Sequence, residues 1–295
     1  EFAIDAGRSG EARHMWEAPD FGMRINVPFA PESKLSGIGN VDFLNCVWYR
    51  RTFTLEKCCG RTLLRFGAVD YEAKVWVNGS YVGSHIGGYT PFAFDVTSLV
   101  KSGENTVVVC AIDDAARNQL QPSGKQCPEY NNFGCMYTRS TGIWQTVWLE
   151  FVPDVYITSL KLTPDLKNRK LRALVKLSES RVGVTVTAGT ECCCGKLTAS
   201  AQACHGSAEL ELVFPEGCEI KEWSPESPYL YDLTVTAGDD RVESYFGMRS
   251  VEVAGNRFLL NGKSVFQRLV LDQGYYPDGI YTAPDVSDIE KDIIL

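Results

Sequence analysis

Residues 73–85 read AKVWVNGSYVGSH. Apolar and polar side chains alternate along both arms, and Asn78-Gly79 supplies the two left-handed positions of a type I′ turn, so the stretch predicts a β-hairpin. The flanking sequence is written the same way: VWYRRTFTL (47–55), TLLRFGAVD (62–70), TPFAFDVTSLV (90–100) and NTVVVCAID (105–113) read as short strands, the last two separated by Lys101-Ser102-Gly103. From Val47 to Val152 regular turns recur with almost no helical period, which predicts a β-sandwich of jelly-roll type.

Working outward, a second all-β block runs from about Val155 to Val253 and is entered through Pro153. VYITSLKLTP, KLRALVKL, VGVTVTAG, SAELELVF, YLYDLTVTAG and VESYFGMRSVEV give six or seven strands, the size of an immunoglobulin-like sandwich. Lys263 to Leu271 then mixes Val265, Phe266, Leu269, Val270 and Leu271 closely enough to read as a strand buried on both faces. A helix is expected after it: Pro284 suits a first turn, Asp285 and Asp288 favour its positive end, and Val286, Ile289 and Ile293 fall at helical spacing. A doubly buried strand followed by a helix is the first unit of an α/β domain, and forty residues cannot bury that strand alone. The expected division is therefore 1–153, 154–253 and 254–295.

The 295 residues, 44% of them hydrophobic, are enough for about two domains with real cores. A net charge of −8 without a basic stripe argues against a nucleic-acid partner. No apolar stretch approaches the roughly 18 residues that span a bilayer, so no membrane partner is expected.

The eleven cysteines include Cys58-Cys59 and Cys192-Cys193-Cys194. Adjacent cysteines bridge each other poorly, so no disulfide framework is expected, and a reducing, cytoplasmic location is favoured over a periplasmic or secreted one with its signal peptide removed. Neither paired CxxC-like motifs nor Cys and His at ligand intervals occur, and His14, His85 and His205 are scattered singles. The sequence therefore predicts no metal and no cofactor.

KVWVNGSYVGSHIGGYTPFAFDVTSLV, TGIWQTVWLE, EWSPESPYLYDLTV, YFGMRSVEV and RFLLNGKSVFQRLV occur in that order, and together they resemble glycoside hydrolases of family 2. The resemblance covers nearly everything beyond about residue 40. It implies a sugar-binding jelly roll, an immunoglobulin-like sandwich and the opening of a (β/α)₈ barrel. It also implies retaining hydrolysis by two glutamates on later barrel strands, outside these residues. Such hydrolysis needs two carboxyls about 5 Å apart, one attacking the anomeric carbon and one protonating the leaving oxygen. Asp113-Asp114 and Asp239-Asp240 do not suit it, because neighbours on a strand point opposite ways, and both pairs read as solvated turn charges.

The long, polar and aromatic loop QPSGKQCPEYNNFGCMYTRSTG (121–142) is the most functional-looking stretch of the first sandwich. In the family this segment reaches the active site and often offers an aspartate; alignment puts Met136 there. Tyr137, Thr138 and Arg139 are the substrate candidates, Arg139 because a guanidinium forks onto hydroxyls or a carboxylate. The alternative for Arg139 is an ion pair with a neighbouring acid. On a barrel, the C-terminal strand ends face substrate, which selects Asp272 and Gln273, with Tyr275 and Tyr276 as walls of a subsite. Family members usually carry Arg-Gly-Val-Asn where this chain has Arg268 to Leu271, so Leu271 stands in place of the asparagine. Trp76 and Trp148 are expected in the core, and Trp144 is a candidate for stacking on a sugar.

The expected function is the non-catalytic front of an enzyme that removes a terminal β-linked sugar, a β-galactoside first and a β-glucuronide second. A stand-alone carbohydrate-binding module and a structural or interaction protein are the rivals. Homo-oligomers are frequent in the family.

Overall fold

The computed structural model describes residues 1–56, 60–114, 120–180 and 183–295; the Cys58-Cys59 pair lies outside the described residues. The chain divides into two units: Glu1–Phe151 with Leu271–Leu295, and Val152–Val270. No helix among the described residues is long and apolar enough to cross a membrane.

The strands of the first unit are β1 (Phe2–Ile4), β2 (Cys46–Leu55), β3 (Arg61–Phe66), β4 (Val69–Asp70) and β5 (Glu72–Val77). They continue with β6 (Ser80–Ile86), β7 (Phe92–Asp95), β8 (Gly103–Ile112), β9 (Gly142–Ile143) and β10 (Val147–Val152). The hairpin forms as the sequence dictates: Asn78 and Gly79 take φ 50° and 81°, and Val77 faces Ser80.

One sheet runs β1-β2-β8-β5-β6, a second β10-β3-β7, and β4 pairs with β9. Alternation along β2 sends Val47 and Tyr49 into a core with Phe66, Val75 and Val109. Cys46 and Trp48 point to the other face of the sheet, where Trp76 and Cys110 join them beneath Phe21, Trp16 and Met15. Trp76 is thus buried as expected, stacked on Trp16 at 5.1 Å and on Trp48 at 5.4 Å. Trp148 is not: β10 is an edge strand, and the indole is 42% exposed.

The second unit contains β11 (Ile157–Asp165), β12 (Lys170–Leu177), β13 (Thr185–Cys192), β14 (Gly195–Gln202), β15 (Ser207–Val213), β16 (Tyr231–Ala237) and β17 (Asp240–Phe246). Sheets β11-β12-β15 and β14-β13-β16-β17 enclose a core of Leu171, Val175, Val186, Leu212, Leu233 and Val235. Three plus four antiparallel strands make the immunoglobulin-like sandwich. Strand β14, GKLTASAQ, is an addition to the sequence expectation: it is an edge strand of small and polar residues with little apolar signal. A ribbon follows, of β18 (Val251–Ala254), β19 (Arg257–Leu260) and β20 (Lys263–Ser264).

The doubly buried strand expected over Lys263–Leu271 does not form. Pairing ends with the Val265 amide, which donates to the Phe258 carbonyl at 2.9 Å, and Phe266, Leu269, Val270 and Leu271 are 80–93% exposed. A central parallel strand exists only by pairing with neighbours and being covered on both faces, and among the described residues nothing supplies either. The helix α1 (Val286–Ile294) does form, with Asp285 as N-cap accepting from the Ser287 amide at 2.9 Å.

Candidate functional site

Loop 121–142 is pinned from within. Cys127 N donates to the Tyr137 carbonyl at 2.7 Å and Tyr137 N to that of Lys125 at 2.8 Å, so the loop's two limbs run side by side. Arg139 locks them: Nη1 donates to the carbonyls of Cys127 (3.0 Å) and Glu129 (2.6 Å), and Nη2 to that of Val41. The guanidinium lies 4.1 Å from the Phe43 ring centroid, and the residue is 4% exposed. Arg139 therefore neither pairs with an acid nor presents a fork to solvent; it converts three carbonyls into a fixed loop shape.

That shape displays Tyr137, whose ring stacks on Tyr275 at 3.9 Å. Tyr275 continues to Tyr281 at 4.5 Å, and Tyr281 to Trp144 at 5.1 Å and Tyr89 at 5.8 Å. Hydrogen bonds hold the rings: Tyr89 and Tyr281 hydroxyls are 3.0 Å apart, and Trp144 Nε1 donates to the Gly88 carbonyl at 2.8 Å. Thr282 Oγ1 donates to the Trp144 carbonyl at 2.6 Å.

Gln273 accepts from Lys125 Nζ at 2.8 Å beside this wall, while exposed Asp272 accepts from the Gly274 amide at 2.8 Å. Burial raises the Tyr275 phenol to about 12 and the Tyr89 and Tyr281 phenols further, so all three keep their protons near neutrality. Aromatic faces edged by an amide, an ammonium and a carboxylate suit a ligand with apolar faces and hydroxyl edges.

Four of the five residues selected from sequence, Tyr137, Gln273, Tyr275 and Asp272, come from the two segments that meet at this stack, and Arg139 stands behind it. Sequence reasoning named neither Tyr89 nor Tyr281 as a site residue. The available signal was the recurrence of aromatics after Gly87-Gly88 and around Pro277.

Beneath the loop lies a buried acidic cluster that the sequence did not disclose. Gln126 Nε2 donates to Asp70 Oδ2 at 2.6 Å while its carbonyl accepts from Ser140 N at 3.0 Å. Gln121 Nε2 donates to Asp113 Oδ1 at 2.6 Å, and Thr141 joins Asp113 Oδ2 (3.2 Å, through Oγ1) to Glu32 Oε2 (3.1 Å, through N). Asp113, expected as a solvated turn charge, is 4% exposed.

Burial raises Glu32 to about 8; burial and the nearby Asp113 charge raise Asp70 to about 8. Gly88 leaves room for Asp70, since a Cβ there would meet Oδ1 at 2.3 Å. Gly142, at φ 79°, similarly clears Tyr49, whose hydroxyl accepts from Ile143 N at 3.2 Å. A separate cavity of about 580 Å³ in this unit is lined by Tyr49, Arg50, Phe53, Leu64, Trp148 and Phe151, among others.

Fold and site together define a tandem β-sandwich protein with an aromatic loop site on its first sandwich. The model of the glycosyl hydrolases family 2 sugar binding domain matches residues 20–151, and that of glycosyl hydrolases family 2 matches residues 155–249. The chain belongs to glycoside hydrolase family 2.

It is 30% identical over 251 residues to a β-galactosidase of Thermoanaerobacter pseudethanolicus, covering 75% of this chain and 31% of that one. It is also 30% identical over 246 residues to a putative β-glucuronidase of Formosa agariphila, covering 75% and 27%. The chain thus spans about a third or less of the length of these relatives. Among solved structures, a Lactobacillus rhamnosus β-glucuronidase shares the fold with TM-score 0.78 at 22% identity, over 100% of this chain and 50% of that one.

Proposed function

We propose that residues 1–295 are the sugar-recognising, non-catalytic part of a retaining β-glycosidase whose two catalytic carboxylates lie outside this stretch. Residues 1–153 act as the sugar-binding sandwich, 154–253 as the immunoglobulin-like one, and 254–295 as the entry to a barrel. The observation that carries this reading is the Tyr137–Tyr275 stack, which joins the loop of the first sandwich to the segment after the barrel-entry run. The exposed run Phe266–Leu271 is consistent with a strand that forms once neighbours pair with it.

The substrate is a terminal β-galactoside in the first instance and a β-glucuronide in the second. The relatives carry both names, and Arg139, which could have met a uronate carboxylate, is engaged by backbone carbonyls. Tyr137, Tyr275 and Gln273 contact the sugar, Asp272 accepts from its hydroxyls, and Arg139 positions Tyr137. No metal or cofactor takes part in that chemistry, and the protein works in the cytoplasm, where homo-oligomers are expected of the family.

The test is expression of the whole reading frame that encodes this chain, assayed on aryl β-galactoside and β-glucuronide beside residues 1–295 alone. Turnover with retained anomeric configuration by the whole frame only, faster on galactoside, is expected. Turnover by residues 1–295 alone, or by neither protein, overturns the proposal; in the second case sugar binding without turnover would identify a binding module.

A further inference from the structure

Four cysteines that match no ligand motif in the sequence, Cys192, Cys193, Cys194 and Cys218, converge in the second unit. Cys192 ends β13, Cys193 and Cys194 form the two-residue turn, and Gly195 at φ 102° takes the left-handed step that opens β14. The turn after β15 brings Cys218 to the same place. Cys193 Sγ is 3.3 Å from Cys218 Sγ and 3.8 Å from Cys194 Sγ, and Cys218 Sγ is 3.5 Å from Cys192 Sγ. The sulfurs of Cys193, Cys194 and Cys218 all lie within 4.8 Å of one another.

Both carriers are fixed. The β13–β14 ladder holds one, while Cys218 N donates to the Pro215 carbonyl at 3.1 Å, and Arg169 Nη2 donates to the carbonyls of Cys218 and of Pro215 (3.1 Å). Cys218 is 2% exposed, whereas Cys193 and Cys194 are open to solvent, so an ion has an entry path and a buried anchor.

We propose that Cys193, Cys194 and Cys218, with Cys192 completing the set, form a thiolate site for zinc(II). Tetrahedral zinc with bonds of about 2.3 Å spaces its sulfurs about 3.8 Å apart, which the free thiols already approach. Thiolates select zinc over magnesium or calcium, because soft sulfur is a poor partner for hard cations. Binding exchanges protons for the ion: each thiol that ligates gives its proton to solvent, and no oxidation is involved. The thiols are also unequal in the free protein, the Cys218 hydrogen bond lowering Cys193 while burial pushes Cys218 up to about 12.

The experiment uses the whole chain, reduced and freed of reductant, titrated with cadmium as an optical stand-in for zinc. A sulfur-to-cadmium charge-transfer band saturating at a single ion per chain, and abolished by added zinc, is expected. Cys193→Ser, at the exposed turn, should weaken zinc binding at least about tenfold, because losing a ligand costs no less than losing an outer-shell partner. Cys218→Ser should remove the band, and Cys204→Ser, beside His205, should leave it unchanged. A missing band, one indifferent to Cys193→Ser, or an isolated protein already bridged between Cys193 and Cys218 would overturn the assignment.

Discussion

The two sandwiches are built from the same strand grammar but differ in what they bury. The first encloses Asp5, Glu32, Asp70, Asp113, Gln121, Gln126 and Arg139 together with its aliphatic core; in the second, Thr190 is the one buried polar residue among those described. The contrast separates two tasks. An aliphatic core suffices to hold strands together, whereas a polar interior fixes the direction of a loop, because each buried donor and acceptor accepts only a narrow set of partner positions.

The sharpest way to break the comparison is to remove the polar lock. Arg139→Ala leaves three carbonyls without their charged donor and should destabilise the first unit by about 4 kcal/mol. Tryptophan fluorescence in urea reads it, since Trp16, Trp48, Trp76, Trp144 and Trp148 belong to that unit and only Trp223 to the other. A loss under about 1 kcal/mol would deny the lock its role. For the aliphatic sandwich, Leu233→Ala should cost about 3 kcal/mol through a cavity, and amide exchange should show the loss confined to Val152–Val270.

Proton linkage sharpens the contrast next. Glu32 and Asp70 stand near 8 when folded, against 4.5 and 3.8 ordinarily, so the folded state holds protons that the unfolded state releases. The stability is fully present below about pH 4 and is lost as pH rises to about 8. Glu32→Gln, neutral at every pH, should flatten the dependence of the first unit's melting temperature. An equally steep profile in that variant would rule out the buried glutamate as its source. The smallest effect is at the surface of the site: Tyr137→Ala removes one stacked pair, about 1 kcal/mol, and should weaken binding of the proposed galactoside roughly fivefold, as read by titration calorimetry.

What could be read in advance follows the range of the interactions. Asn78-Gly79 declares its hairpin because a type I′ turn is a local property, and the alternating strands of both sandwiches declare theirs. Edge strand β14 lacked the apolar signal on which such readings depend. Phe266 to Leu271 carried that signal without the pairing that gives it meaning, so an apolar run became exposed chain. The aromatic site was half legible, since Tyr137 and Tyr275 stood out in polar surroundings while Tyr89 and Tyr281 needed the fold to join them. Glu32, Asp70, Asp113 and Thr141 were not legible as a group, because residues far apart in sequence meet only after the sheets close. The same holds for Cys218 and the Cys192–Cys194 turn, whose spacing matches no local ligand motif.

The two raised carboxyls have a calorimetric consequence. Near neutral pH each is ionised in the unfolded chain and protonated in the native one, so closing the first sandwich consumes protons supplied by the buffer. The heat of unfolding measured for this unit will then contain the buffer's own ionisation heat, and will differ between phosphate and Tris at the same pH.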